Sequence, residues 1–414
     1  MERLSVGFIG AGFISRFQVR AMAQINNVEL AGVYATDRAD DFSEYAREHG
    51  VGECEIYGSV ADLCRNVEAV AIFAPHFARV EIMEAIAEAV QTEGIKLKGL
   101  ICEKPLARTV SEARQMVKLA REIAVPTAYF ENQVHMPAIQ NGLEQLAPVQ
   151  KSMGPIALAR CAEEHAGPHA DWFWDPLQQG GGVLADMGCH SIAVAWYILT
   201  PVGKPVDFLE PVEVNAEVSL LKWGQSKYRR QLLDRTGTDY AETPAEDFTT
   251  GTITFKNPET GQRVKGQFTN SWMYDKQGLR LLMDGLGPGY AFETNTLRSP
   301  LEIFIGDEAA ESVADAESAL EKSTASRGLM AIQSNEADLY GYSAEMRDAA
   351  KAFLTGRDPL LDWEYGLEIT RLVQAAYLSA ETRRPVHLTS EETLEQVNTY
   401  KPLIAQGQGN EILL

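Results

Sequence analysis

A chain of 414 residues exceeds what one hydrophobic core usually organises, so two domains are expected. Hydrophobic residues at 45% and charged residues at 23% are an ordinary globular composition, which excludes a largely disordered chain. With 37 basic against 58 acidic residues the formal charge is −21, and no block of Lys and Arg offers a stripe for nucleic-acid phosphates or an anionic membrane.

No window is expected to reach the roughly 18 apolar residues of a spanning helix. The opening MERLSVGFIG runs straight into a strand without the regions of a secretion signal. A cytoplasmic location is therefore expected. The five cysteines, at 54, 64, 102, 161 and 189, fit neither a disulfide framework nor a metal knuckle, and read as reduced and buried.

From 4 to 132 short apolar runs alternate with amphipathic stretches, the pattern of a parallel sheet with crossover helices. Strands are predicted at 4–10, 28–35, 67–75, 98–105 and 126–132, with a weaker one near Ile56; helices are predicted at 13–25, 77–93 and 109–123. After about 150 strand-like segments follow one another at 156–165, 212–223, 247–257, 263–273, 279–287 and 301–306, interrupted by one helix over 182–199. That succession predicts a mostly antiparallel sheet, whose open face would expose apolar area and invite a second copy. Residues 306–340 read as a surface helix or excursion, 223–245 as a loop, 343–356 and 363–382 as helices, and the last residues as loosely held. The fold class is thus an α/β Rossmann domain, 1–135, followed by an α+β domain, 136–414, whose last helices could return to the first.

Gly10-Ala-Gly12-Phe13-Ile14-Ser15 follows an apolar strand and opens a helix, the context in which such a run binds a dinucleotide. Gly10 permits the tight turn, Gly12 lets backbone approach a pyrophosphate, and Ser15 is the small residue where helix meets sheet. After the second strand, Asp37 would accept bonds from ribose hydroxyls and favour NAD, whereas Arg38 would pair with a 2′-phosphate and favour NADP. Ala35, where NAD enzymes often place an acid, counts against NAD; the cofactor is NAD or NADP, with the balance slightly toward NAD.

The run Gly10 to Ser15, Ala74-Pro75-His76, Glu103-Lys104-Pro105 and Gly180-Gly181-Gly182 with Asp186, Gly188 and His190 resembles the Gfo/Idh/MocA family of glucose–fructose oxidoreductase and inositol dehydrogenase. The final helix with its Ser379-Ala-Glu-Thr tail is similar too. The resemblance implies that Lys104, Asp186 and His190 are the catalytic set. It also implies cofactor contacts from Gly10, Gly12, Phe13, Ile14, Ala74, Pro75, His76, Glu103, Lys104 and Asn132.

The residue chemistry agrees with that set. Asp186 and His190 are four apart on a predicted helix and share one face, while Lys104 ends a parallel strand, where α/β ligand sites lie. An imidazole can take a hydroxyl proton while a hydride leaves the same carbon, and a lysine can orient the substrate oxygen.

Between the two expected domains, residues 163–175 include His165, His169, Trp172 and Trp174, groups that contact carbohydrate; the two indoles serve equally well as anchors of the following helix. Gly167-Pro168 between the histidines breaks the helix that a zinc pair needs, so no metal is expected. The segment Glu131 to His135 carries Asn132, Gln133 and His135 where family members often carry a basic residue, which argues against a strongly anionic substrate. The candidate substrate contacts are therefore Lys104, His135, His165, Trp172, Trp174, Asp186 and His190.

These residues point to an NAD(P)-dependent oxidoreductase acting on a sugar, polyol or glycoside, with a homodimer or homotetramer expected. An NAD-dependent glycoside-cleaving enzyme with transient oxidation, and a non-catalytic nucleotide- or sugar-sensing regulator, are the alternatives.

Overall fold

The computed structural model describes residues 2–276, 278–297, 302–305, 328–331 and 335–413. It divides into two units, Met1–Pro137 with Ala337–Thr370 and Ala138–Glu336 with Arg371–Leu414.

In the first unit β1 (Leu4–Ile9), β2 (Val28–Tyr34), β3 (Glu55–Ile56), β4 (Ala69–Ile72), β5 (Gly99–Glu103) and β6 (Thr127–Phe130) form one sheet in the order β3-β2-β1-β4-β5-β6. Every neighbouring pair is parallel. Parallel sheets are covered on both faces, and β4 and β5 are accordingly buried at every residue. The connecting helices are α1 (Phe13–Met22), α2 (Ala39–Glu48), α3 (Val60–Asn66), α4 (Arg79–Glu93) and α5 (Val110–Glu122). Side-chain oxygens of Ser59 and Thr109 accept backbone N–H groups at the starts of α3 and α5. Helices α2 and α3 were not among the predicted ones. α2 buries only Phe42, Ser43 and Ala46, too narrow a stripe to stand out among its acids.

The core of this unit joins Leu4, Val6 and Phe8 to Phe73 and Phe130, with Phe8 and Phe73 edge-on at 4.6 Å. The helix Tyr342–Thr355 adds Met346, Ala349, Ala350 and Phe353 to the same core. Strand order reverses between β1 and β4, so the carboxyl ends of these strands flank the crevice where this fold class takes its ligands.

After α6 (Pro137–Met153), the second unit holds a sheet of β7 (Leu158–Glu164), β8 (Glu210–Ser219), β9 (Phe248–Lys256), β10 (Arg263–Ser271), β11 (Arg280–Gly287) and β12 (Tyr290–Asn295), extended by Val386–His387. The order is β12-β11-β7-β10-β9-β8 and then Val386–His387. The sheet is mixed: β7 and β10 pair in parallel, whereas the other neighbours are antiparallel. One face is apolar. Val212, Val214 and Ala216 of β8 are buried there, and Trp196 of α8 (Cys189–Leu199), which follows the short α7 (Pro176–Gln179), lies 5.4 Å from the Phe255 ring.

The other face is mixed, with half-buried Leu158, Leu282 and Leu286 beside charged and hydroxyl pairs. Arg160 pairs with Asp284 at 3.0 Å, Lys265 with Glu213 at 3.8 Å, and Thr250 with Thr269 at 3.0 Å. Period-two alternation places these side chains opposite the buried ones.

Further differences have local causes. Residues 223–245 contain a helix, α9 (Ser226–Thr236), hidden from periodicity because Leu232 alone is buried. The C-terminal residues expected to be loose form a helical turn, Asn410–Leu413, with the Asn410 side chain donating to the Glu242 carbonyl at 3.1 Å. The predicted 306–340 excursion lies outside the described residues over 306–327 and 332–334, while Gly328–Ala331 is a strand paired with Glu302–Ile305.

One sequence exclusion also needs correcting. Among the described residues the helical stretch Pro176–Leu199 is long and apolar enough to cross a membrane by length and composition, but its most apolar part is 94% buried inside the protein. A helix apolar all round is a core helix when protein surrounds it.

Candidate active site

The nucleotide-type turn is built at the carboxyl end of β1. Gly10 has φ +113°, a backbone conformation costly for any residue with a Cβ, and a Cβ there would lie 2.9 Å from the Phe73 carbonyl. Ser15, fully buried, donates its hydroxyl to the Gly10 carbonyl at 2.8 Å and ties the turn to α1. Gly12 begins α1, and a Cβ added to it would meet nothing within 4 Å. The N–H groups of Phe13 and Ile14 start that helix, where anions bind. A tight turn, an open approach and a helix start are what a dinucleotide pyrophosphate requires, so these residues fit that group.

Beyond β2, Asp37 and Arg38 are exposed and paired with each other at 3.4 Å, and Arg38 begins α2 in a left-handed conformation at φ 56°. Neither is held by the core.

The next two strand ends carry the other first-unit candidates. Ala74 and His76 are buried beyond β4, with Pro75 partly exposed. Glu103 closes β5; its carboxyl accepts the Lys104 backbone N–H at 3.1 Å, and that N–H also reaches the Phe130 carbonyl at 3.2 Å. The Lys104–Pro105 peptide bond is cis. Lys104 itself is partly exposed at the carboxyl edge of the sheet.

Asn132 and His135 fall in a 3-10 turn after β6. The Asn132 amide donates to the Tyr340 carbonyl at 2.7 Å. Burial pulls the His135 imidazole down to about 4 against the opposing pull of Asp348 and Glu131, so this histidine is neutral at physiological pH.

Sequence reading missed the buried polar groups beneath these turns. The Gln18 amide of α1 donates to Glu345 at 2.8 Å, and burial, with Glu103 and Glu131 adding repulsion, holds the Glu345 carboxyl well above the usual carboxylate range. Arg79, 3% exposed, donates from Nε to the Ala74 carbonyl at 3.0 Å and from Nη1 to the carbonyls of Glu103 and Pro105. No apolar periodicity marks such residues, because they occupy core positions as polar side chains.

In the second unit the predicted helix starts with irregular winding. Leu184–Gly188 is one π-helical turn running into α8, so Asp186 sits on the π turn and His190 on the first α turn. Their shared face therefore departs from the regular four-residue spacing assumed from sequence. Both are nearly buried, Asp186 at 5% and His190 at 4% exposure. The Trp272 indole of the turn after β10 donates to the Asp186 carboxyl at 3.2 Å.

The glycines before this turn lie against a buried acid. Glu246 Oε1 accepts from the backbone N–H groups of Gly182 at 3.1 Å and Leu184 at 2.9 Å, and from the Tyr377 hydroxyl at 2.6 Å. A Cβ at Gly182 would lie 2.3 Å from the Glu246 carbonyl, so no other residue allows this approach. Burial outweighs the three donors and pushes the Glu246 carboxyl up to about 7.

The aromatic segment divides in role. Trp174 is fully buried against Trp223 at 4.6 Å and Trp272 at 5.1 Å, and its indole N–H donates to the Pro168 carbonyl at 3.3 Å. It has no face left for a ligand, which corrects its inclusion among substrate contacts; it anchors the segment. Trp172 remains partly exposed, stacked on Phe173 at 3.8 Å. His165 is buried and its Nδ1 accepts the Gly167 N–H at 2.9 Å, which places the proton of the neutral ring on Nε2. His169 is exposed.

Comparison with known proteins follows the same order of elements. Residues 4–129 match the family description "Oxidoreductase family, NAD-binding Rossmann fold" and residues 149–285 the "GFO/IDH/MocA C-terminal domain". The glucose-6-phosphate 3-dehydrogenase of Bacillus subtilis is 28% identical over 198 residues, 47% of this chain and 53% of that protein. The 1,5-anhydro-D-fructose reductase of Ensifer adhaerens is 26% identical over 271 residues, 62% and 77% of the two chains.

Among solved structures, GenD2 from gentamicin A biosynthesis, in complex with NAD, superimposes with a TM-score of 0.72 at 22% identity over 94% of this chain and 97% of its own. A putative myo-inositol dehydrogenase from Sinorhizobium meliloti gives 0.67 at 18% identity, over 93% and 100% of the two chains. At such identities the likeness is one of fold. With both family domains matched in sequence, in the order the two sheets follow, the chain belongs to the Gfo/Idh/MocA oxidoreductase family.

Proposed function

We propose that the protein is an NAD(P)-dependent sugar or polyol oxidoreductase that exchanges a hydride with a hydroxyl-bearing carbon. The observation that carries this reading is the Gly10 turn, locked to α1 by Ser15, on the same sheet whose β5 ends just before Lys104. Relatives named for dehydrogenation or reduction of sugars support the substrate class.

Gly10, Gly12, Phe13, Ile14, Ala74, Pro75, His76, Glu103 and Asn132 would hold the dinucleotide, and Asp37 or Arg38 its adenosine ribose. When bound, the nicotinamide supplies the hydride chemistry. Lys104 Nζ orients the substrate oxygen and stabilises charge developing on it. His190 takes the hydroxyl proton on oxidation and returns it on reduction, and Asp186 fixes the substrate or that imidazole. His165 and Trp172 contribute polar and stacking contacts to the sugar. NAD is the favoured dinucleotide, since Arg38 already has Asp37 as a partner. The assembly we propose is a homodimer or a tetramer of dimers, formed through the outer sheet face that carries Leu158, Leu282 and Leu286.

The test follows near-ultraviolet absorbance of the reduced cofactor while sugars, polyols and glycosides are offered with NAD and NADP separately, with Lys104→Ala as control. Turnover that falls steeply in the control to a measurable residual rate supports the reading. Bound nucleotide without accumulation of reduced cofactor transfers support to glycoside cleavage through internal oxidation and re-reduction.

A further inference from the structure

We infer that Arg79 is a positioning residue for Lys104: its buried guanidinium joins the turn after β5 to the end of β4 and so fixes where the lysine stands relative to the Ala74-Pro75-His76 segment. The inference rests on the hydride-transfer reading proposed above.

The geometry is specific. Arg79 opens α4, yet its side chain lies across the carboxyl ends of two strands instead of reaching solvent, and it remains only 3% exposed. Nη1 donates to the carbonyls of Glu103 and Pro105, the residues immediately before and after Lys104. Nε donates to the Ala74 carbonyl at 3.0 Å, at the head of the segment expected to meet the cofactor. One planar group thus holds three main-chain oxygens from two separate turns.

A guanidinium suits this task because its five donors form a rigid fork, whereas an ammonium is a single point with rotating donors. Its three named acceptors are neutral carbonyls, so desolvating the cation gains no opposite charge from them. Burying a charge against carbonyls costs stability that an apolar residue would spare. What the arginine supplies in return is a fixed spacing. Lys104 already has its backbone N–H bound to Phe130 and Glu103, and Arg79 completes the frame by seizing the carbonyls on both sides. Reactive groups misplaced by about 1 Å can lose on the order of a hundredfold in rate, which is the scale at which such a frame acts.

The experiment compares Arg79→Met, Arg79→Lys and wild type in wild-type and Lys104→Ala backgrounds. The expected result is a fall in kcat of about a hundredfold for Arg79→Met, with dinucleotide affinity changed less than threefold, and partial recovery in Arg79→Lys. In the Lys104→Ala background Arg79→Met should cost nothing further, because residues acting as a unit are non-additive. A purely structural residue would impose its full loss in both backgrounds, and that outcome overturns the inference.

A readout independent of turnover accompanies it: competitive acylation of lysines followed by mass spectrometry. Lys104 should change its labelling rate at least threefold in folded Arg79→Met, while Lys118, exposed on α5, serves as internal standard. An unchanged Lys104 rate rejects the positioning role even if no sugar is ever turned over. No turnover of any sugar, polyol or glycoside in wild type, cleavage included, with a changed Lys104 rate rejects the hydride-transfer reading and leaves the Arg79–Lys104 link standing.

Discussion

The indole N–H of Trp272 donates to the Asp186 carboxyl at 3.2 Å, although 86 residues separate the two in sequence. Trp272 is itself packed in the Trp174–Trp223 cluster, and its carbonyl accepts the Trp223 indole N–H at 2.9 Å. Trp174 therefore bears on the catalytic candidate through the core rather than by direct contact with a sugar. Trp272→Phe keeps the ring and removes the donor; a hydrogen bond of this kind is worth about 1–3 kcal/mol, so kcat should fall roughly tenfold to a hundredfold. Steady-state kinetics with unchanged cofactor affinity would bear this out, and an unaltered kcat would rule it out.

Glu246 makes stability depend on pH in a defined direction. Its folded carboxyl titrates at about 7, above the ordinary 4.5, so between these values the folded chain holds a proton that the unfolded chain has released. Stability from this group is present in full below about pH 4.5 and declines as pH rises toward 7, by up to about 3 kcal/mol. Glu246→Gln should flatten that slope in urea melts taken from pH 4.5 to 8, while the neighbouring Tyr377, Tyr240 and Asp247 stay in place. An unchanged slope contradicts the assignment.

His135 behaves oppositely. Its folded imidazole titrates at about 4, below the usual 6.5, so stability is present above pH 6.5 and lost as pH falls toward 4. Because the ring is neutral across the neutral range, His135→Gln should leave the shape of the kcat profile from pH 6 to 9 unchanged. His190→Asn should remove activity by about a hundredfold or more, as expected for loss of a general base. A shifted profile in the His135 variant would reassign the proton-handling role.

Gly10→Ala should weaken dinucleotide binding by at least about tenfold, since the left-handed backbone strains an alanine and the new Cβ meets the Phe73 carbonyl. Titration of cofactor fluorescence measures it. Binding at the wild-type level would show that the turn tolerates the strain.

Cofactor choice can be read from Asp37 and Arg38. With the pair broken by Asp37→Ser, Arg38 is released toward a 2′-phosphate, and the NAD-to-NADP ratio of kcat/KM should fall by about tenfold. A ratio that does not move removes Asp37 from ribose recognition.

How much was legible in the sequence follows from what kind of signal each element leaves. The β1 turn was readable because a strand, two glycines and a helix start must occur in sequence to make it. Lys104, Asp186 and His190 came from motif resemblance, and their polar supports did not. Arg79, Glu246 and Trp272 interrupt no pattern: each is an isolated residue that reaches a partner far along the chain, Glu103 at 24, Gly182 at 64 and Asp186 at 86 positions away. Helix α9 was read as loop because it buries one leucine, and Trp174 was offered to a sugar because sequence shows an aromatic residue but not which side of the core it occupies.

The π turn at Leu184–Gly188 has an implication for how this site tolerates change in length. A π turn winds one extra residue into a helix that would otherwise run as a regular α spiral. Deleting Met187 would let the spiral close normally with Asp186 and His190 three residues apart, about 300° around a regular α-helix and still on one face, while leaving most of α8 able to form. The spacing of the pair can thus lose the one residue that the π turn carries, whereas a second deletion in the same turn would swing His190 by about 100° away from Asp186.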